Sequence, residues 1–295
     1  MPFQLFLVVT AIILCYYNII PANGRGERVN IDLRSIFFEK LMELGADAVG
    51  VTTVESLRNC PSERLFPNMK DHSRDHFAEE ITTGLPHGAV YWEEDAKSVI
   101  VFAVAHPADQ PQMDWWCGEI DPPGNKKLLS ISREFKRWLS EAWPDIHVYP
   151  KRYHVERGGV YLKEAALQAG LGCIGRNNLL VTPHFGPRVR LRAMTISVEL
   201  EPTGPIDFDP CSDCDAPCLK HCPQQAFSER IYTPEETGLE YLPGRDGHYY
   251  RAACNQQMLK NENEAQIGVM AEVCDHPERI IKYCRNCELL CRVGR

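Results

Sequence analysis

The chain has 295 residues, a formal net charge of −8, and a composition that is 44% hydrophobic and 24% charged. These values exclude a disordered or fibrous protein and allow one elaborate domain or two modest ones. The acidic balance argues against nucleic-acid backbone binding over the whole surface, while leaving room for a small basic pocket that holds one nucleotide.

Residues 3–20 (FQLFLVVTAIILCYYNII) carry no charge and are long enough to cross a hydrocarbon core. No Lys or Arg precedes the run, whereas Arg25, Arg28 and Arg34 follow it. That bias predicts a membrane anchor with the body on the cytoplasmic side. A cleaved signal peptide and a buried helix are the competing readings, and residues 1–29 are set apart as an N-terminal segment and linker.

The globular pattern begins at Asp32, placed to cap a helix whose Leu33, Ile36, Phe37, Leu41 and Leu44 share one face and which ends at Gly45. Residues 47–54 read as a strand, and SVIVFAVAH (98–106) as a strand buried on both faces. After a loop over 107–125, a second helix carries Leu128, Ile131, Phe135, Trp138 and Leu139 on one face and stops before Pro144. A third helix runs from about Val160 to Ala169, with Gly170 at its end, and residues 179–182 and 191–200 read as strands. This alternation predicts an α/β or α+β layered domain over residues 30–205. Proline density rises between Pro202 and Pro210, marking a boundary before a second domain at 206–295.

Nine of the thirteen cysteines fall between Cys211 and Cys291. An odd total clustered this closely fits metal ligation better than a disulfide framework. The first run is Cys211-x2-Cys214-x3-Cys218-x3-Cys222-Pro223. It follows the bacterial ferredoxin spacing, in which three close thiolates hold one cubane and the fourth serves the other, but with one extra residue before Cys218. The second run is Cys284-x2-Cys287-x3-Cys291, with Cys254 thirty residues upstream and Arg292 where proline is usual. Eight thiolates predict two [4Fe-4S] clusters, one on Cys211, Cys214, Cys218 and Cys291, the other on Cys222, Cys254, Cys284 and Cys287. Cys274 is left spare. Zinc held by two C-x2-C pairs is the competing reading.

Gly170-Leu-Gly172-Cys-Ile-Gly175 matches a dinucleotide fingerprint in spacing alone, because a helix precedes it and a strand follows, the reverse of what that fold requires. Read with Arg176, Asn177 and Arg188, the segment is a candidate cradle for polar groups of a large cofactor; a turn packed under the sheet with solvated arginines is the alternative.

With AGLGCIGRNNLL at 169–180, CSDCDAPCLKHCPQQAF at 211–227, Cys254 and YCRNCELLC at 283–291, the chain resembles the epoxyqueuosine reductase family and its relatives the reductive dehalogenases. The resemblance covers roughly residues 30–295. It implies a flavin-reductase-like α/β domain that binds cobalamin, followed by a small ferredoxin-like domain with two [4Fe-4S] clusters. It also implies electrons from a low-potential donor of ferredoxin or flavodoxin type, and reductive chemistry on a small molecule or modified nucleoside, in the family a tRNA base. The family's proton-donating aspartate, counted back from Gly170, falls on Glu156, which makes that glutamate the catalytic candidate. A two-cluster electron carrier without its own substrate is the alternative function.

Overall fold

The computed structural model describes residues 32–69, 84–86, 88–270 and 273–295, with Asn68 and Glu156 described by their backbone alone. Residues 3–20, assigned above to an anchor, lie outside them; among the described residues no helix is long and apolar enough to cross a membrane.

Helix α1 (Leu33–Glu43) begins as expected, with the Asp32 carboxylate accepting the Ser35 amide at 3.3 Å. Strand β1 (Ala48–Thr53) follows, then β2 (Ser98–Ala105), the short β3 (Trp116–Cys117) and helix α2 (Pro123–Ala142). Next come β4 (Val148–Pro150), helix α3 (Leu162–Gln168), the small hairpin β5 (Cys173–Ile174) and β6 (Leu180–Val181), and β7 (Val189–Ile196). One four-stranded sheet, in the order β1-β2-β7-β4 and antiparallel throughout, carries this part of the chain.

Because side chains alternate across a strand, β2 feeds two cores. Ile100, Phe102 and Val104 meet Phe37 and Leu41 of α1 and Phe135 and Leu139 of α2 on one face. Val99, Val101 and Ala103 meet Ala165 and Ala166 of α3 on the other. Helices on both faces explain why β2 reads as a continuous apolar run.

The end of α3 is fixed by local chemistry. Gly170, at φ +72°, donates its amide to Leu167 O at 3.0 Å, and Leu171 donates to Ala166 O at 2.9 Å, the paired bonds of a Schellman ending. Gly172 is needed for a different reason: a Cβ there would stand 2.1 Å from the carbonyl oxygen of Val181. Gly172→Ala is expected to cost about 1–3 kcal/mol by forcing the backbone apart, read as a lowered thermal midpoint.

Beyond Thr203, helix α4 (Pro217–Lys220), helix α5 (Arg251–Asn263), strands β8 (Gln266–Met270) and β9 (Cys274–Ile281) and helix α6 (Asn286–Leu289) complete the fold. Strand β3 pairs antiparallel with β9, so the loop after β2 joins the C-terminal hairpin in a β3-β9-β8 sheet. That pairing corrects the expectation that Cys274 is spare: it is disulfide-bonded to Cys117, 157 residues earlier. The sequence could not pair them, since Cys117 lies far from the cysteine-rich region and only the tertiary β3–β9 pairing unites the segments. Replacing both by serine is expected to cost about 2–5 kcal/mol, with non-reducing peptide mapping reporting the bond itself.

Candidate metal centre and adjoining cleft

The eight candidate ligand thiols separate into two neighbourhoods. Burial pushes Cys218 up to about 11, with Cys291, Cys211 and Cys214 adding to the rise. Burial also raises Cys291, again with Cys211 and Cys214 as its thiol neighbours. In the second neighbourhood burial raises Cys284, helped by Cys254 and Cys222, and raises Cys287, helped chiefly by Cys254 and Cys284. Clustered thiols raise one another because each thiolate disfavours the next; a bound polycation reverses that preference. The donor set therefore suits metal, and four soft thiolates per neighbourhood suit a cubane cluster.

Local structure explains how the runs tolerate their departures from the usual pattern. The extra residue between Cys214 and Cys218 is absorbed at Ala216, which adopts φ +51° just before Pro217 opens α4. Arg292, standing where proline is usual, reaches across to Asp215 of the first run at 3.1 Å. Helices α4 and α6 pack against each other, bringing the two runs into one unit.

The residues singled out as a cofactor cradle are engaged within the protein. Buried Asn177 donates its Nδ2 to Cys287 O at 3.1 Å and accepts the Leu179 amide on Oδ1. Buried Arg188 donates to the carbonyls of Glu288 at 3.3 Å, Cys291 at 3.4 Å and Val293. Both side chains thus hold the second cysteine run in place. The Gly170 and Gly175 amides go to Leu167 and Leu179 carbonyls, and Gly172 is pressed against Val181. Arg176 is half-buried. These residues do not form an open cradle for cobalamin.

Sequence reading missed a buried charge network between the sheet and the cysteines. His106, just after β2, places Nδ1 2.7 Å from Asp114 and Nε2 3.5 Å from Glu288. Arg285 bridges both carboxylates, 2.9 Å from Asp114 and within hydrogen-bond reach of Glu288, and donates to His106 O. Arg190 of β7 pairs with the other oxygen of Asp114 and donates to Asn125 at 2.7 Å. Burial alone would raise Asp114, but His106, Arg190 and Arg285 together hold it below the ordinary carboxylate range; Glu288 is raised by burial. His106, Asp114 and Glu288 converge within 4.8 Å, and two guanidiniums stand opposite the two carboxylates in charge. The only hint in the sequence was the alternation Arg188-x-Arg190-x-Arg192, which places three guanidiniums on one side of an extended chain.

Arg190 also lines a cleft of about 110 Å³ with Asp121, Tyr153, Leu129, Leu162 and Arg192. The backbone of Glu156 lies in a single 3-10 turn, Val155–Arg157, ended by Gly158 at φ +75°, three residues beyond Tyr153. The Glu156 carboxylate lies outside the description.

Over 223 residues the chain is 34% identical to the epoxyqueuosine reductase of Staphylococcus aureus, an alignment spanning 70% of this chain and 55% of that protein. The chain is homologous to the epoxyqueuosine reductases. It spans about half the length of the epoxyqueuosine reductases it matches first. Over 85 residues it is also 41% identical to the tetrachloroethene reductive dehalogenase of Dehalobacter restrictus, covering 26% of this chain and 15% of that one. No protein-family profile matches the chain. Its fold matches that of epoxyqueuosine reductase from Streptococcus thermophilus with a TM-score of 0.57 at 20% identity, over 90% of this chain and 67% of the other. An epoxyqueuosine reductase solved with an epoxyqueuosine-modified tRNA stem loop matches at 0.56 and 20% identity, over 89% and 65%. A reductive dehalogenase whose structure suggests a mechanism for B12-dependent dehalogenation matches at 0.51 and 16% identity, over 82% and 32%. Epoxyqueuosine reductases and dehalogenases therefore share with this chain one mixed α/β fold.

Proposed function

We propose that this protein is an iron–sulfur reductase that carries two [4Fe-4S] clusters and delivers low-potential electrons to a small-molecule or modified-nucleoside substrate. One observation carries the reading: the two cysteine runs exchange members, Cys291 neighbouring Cys211, Cys214 and Cys218, and Cys222 joining Cys254, Cys284 and Cys287. Homology to reductases and to a reductive dehalogenase supports the reaction class. The modified-nucleoside class is supported by the relative solved with a modified tRNA stem loop. A ferredoxin- or flavodoxin-type donor is the partner such a reductase requires.

Bound clusters supply one-electron transfer at low potential. The chain's own residues hold the second run with Asn177 and Arg188, tie it to the sheet through Arg285, and keep water away from Asp114, His106 and Glu288 by burial. Glu156 is the proposed proton donor, on a turn that begins two residues after cleft-lining Tyr153. The B12-dependent relative supports cobalamin as the class of acceptor cofactor; residues other than those of the glycine segment would have to hold it. A change in the optical spectrum of cobalamin on adding the protein would report such binding.

The test is anaerobic purification or reconstitution of the full chain with iron, sulfide and zinc quantified. About eight irons and eight sulfides per chain are expected. Zinc without iron sinks the proposal.

A further inference from the structure

Three arginines alternate along β7 and the residue before it, and two of them are fully engaged. Arg188 holds carbonyls of the second cysteine run, and Arg190 pairs with Asp114 and Asn125. Arg192 is different. Its Nε is buried without a hydrogen-bond partner. Its one ring contact is Tyr153, whose centroid lies 5.9 Å from the guanidinium carbon. Asp121 is the negative group nearest in influence, but its carboxylate accepts Asn125 Nδ2 at 2.6 Å and makes no ion pair with Arg192 among the described residues. A guanidinium nitrogen withdrawn from water without a partner carries a desolvation cost that a counter-charge offsets.

The surroundings narrow that counter-charge. Arg192 lines the cleft together with Asp121, Asn125 and Arg190, while Leu128, Leu129, Leu162 and Leu191 supply apolar walls and Tyr153 an aromatic one. A guanidinium presents a planar fork of donors that matches an oxyanion, and the apolar walls match a hydrophobic body behind it.

We propose that this cleft binds a small oxyanion, a carboxylate or phosphate monoester on an apolar or aromatic body, with Arg192 as its anchor and Tyr153 as the ring it lies against. The inference rests on the reductase reading in one respect: it names the charge class of that enzyme's substrate. The position agrees with such a role. Arg190 lines the same cleft and pairs with Asp114, which pairs with Arg285 between Cys284 and Cys287. A molecule in the cleft is thus linked through one ion network to the second cysteine run.

The experiment titrates the anaerobically purified full chain, its iron content measured, with benzoate, phenyl phosphate and neutral benzamide, using ligand-observed NMR and the thermal midpoint. Benzoate or phenyl phosphate binds and raises the midpoint, benzamide does not, and the stronger anion identifies the carboxylate or phosphate source. Arg192→Gln weakens anion binding by about tenfold or more, and Arg192→Lys recovers part of it. Leu129→Trp, which fills the cleft and leaves the arginine, also abolishes binding and serves if the glutamine variant does not fold. Equal binding of benzoate and benzamide, unchanged binding in Arg192→Gln, or no anion binding to iron-loaded protein overturns the inference. Anion binding by a chain that takes up no iron leaves it standing and sinks the reductase reading instead.

Discussion

The double variant Cys211→Ser/Cys291→Ser should keep about four irons per chain, whereas Cys211→Ser/Cys222→Ser should keep almost none. The contrast follows from which thiols are neighbours. Cys291 belongs to the second run in sequence, yet the thiols that raise it are Cys211 and Cys214. Cys222 closes the first run, yet it acts on Cys284. Removing Cys211 and Cys291 therefore damages one cluster twice, and removing Cys211 and Cys222 damages both clusters once. Ligation confined to each run reverses the outcome: the first pair would lose both clusters and the second only one. Iron analysis with EPR of the dithionite-reduced protein separates the two patterns. The proposed ligation also bears on folding, because each cluster so held would staple segments about 70 residues apart in the sequence, closing loops whose entropy the chain must otherwise supply.

Arg188→Met should destabilise the folded protein by about 3–5 kcal/mol and loosen its hold on iron. The guanidinium is buried and donates to three carbonyls at the end of α6 and beyond it, those of Glu288, Cys291 and Val293. Losing the donor removes three charge-assisted hydrogen bonds, worth about 1.5 kcal/mol each, although Glu288 O keeps the Cys291 amide and Cys291 O keeps Arg295 Nε. Part of that is recovered, because burial disfavours the charged guanidinium and holds its pKa below the usual value. Asn177→Ala, which frees the Cys287 carbonyl and the Leu179 amide, both neutral, should cost only about 1–2 kcal/mol. The two substitutions act on one segment and should not add. Denaturant midpoints and iron retained after gel filtration measure both effects. A cost for Arg188→Met no larger than that for Asn177→Ala would refute its bridging role.

Much of the scaffold was legible because it depends on local rules. Asp32 caps α1 through its own side chain, Gly170 takes the left-handed position after α3, and β2 reads as buried because it is covered on both faces. The cysteine spacing also sufficed to single out eight ligand candidates. Chemistry that needs residues to be close in sequence can be read in sequence.

The rest depends on partners that come together only when the chain folds. Asn177 and Arg188 were marked as polar donors, but the sequence could not say that their acceptors are carbonyls 100 or more residues away. Cys117 and Cys274 meet because β3 pairs with β9. The alternating arginines of β7 look equivalent in sequence and become three different things: a clamp on the cysteine run, a link to Asp114, and an unpaired cation facing a cleft. Sequence by itself determined which side chains carry charge and which thiols are spaced for metal. Tertiary structure decided which charges are already neutralised, since an ion's energy depends on burial and on distance to its partners, and neither is a property of the local chain.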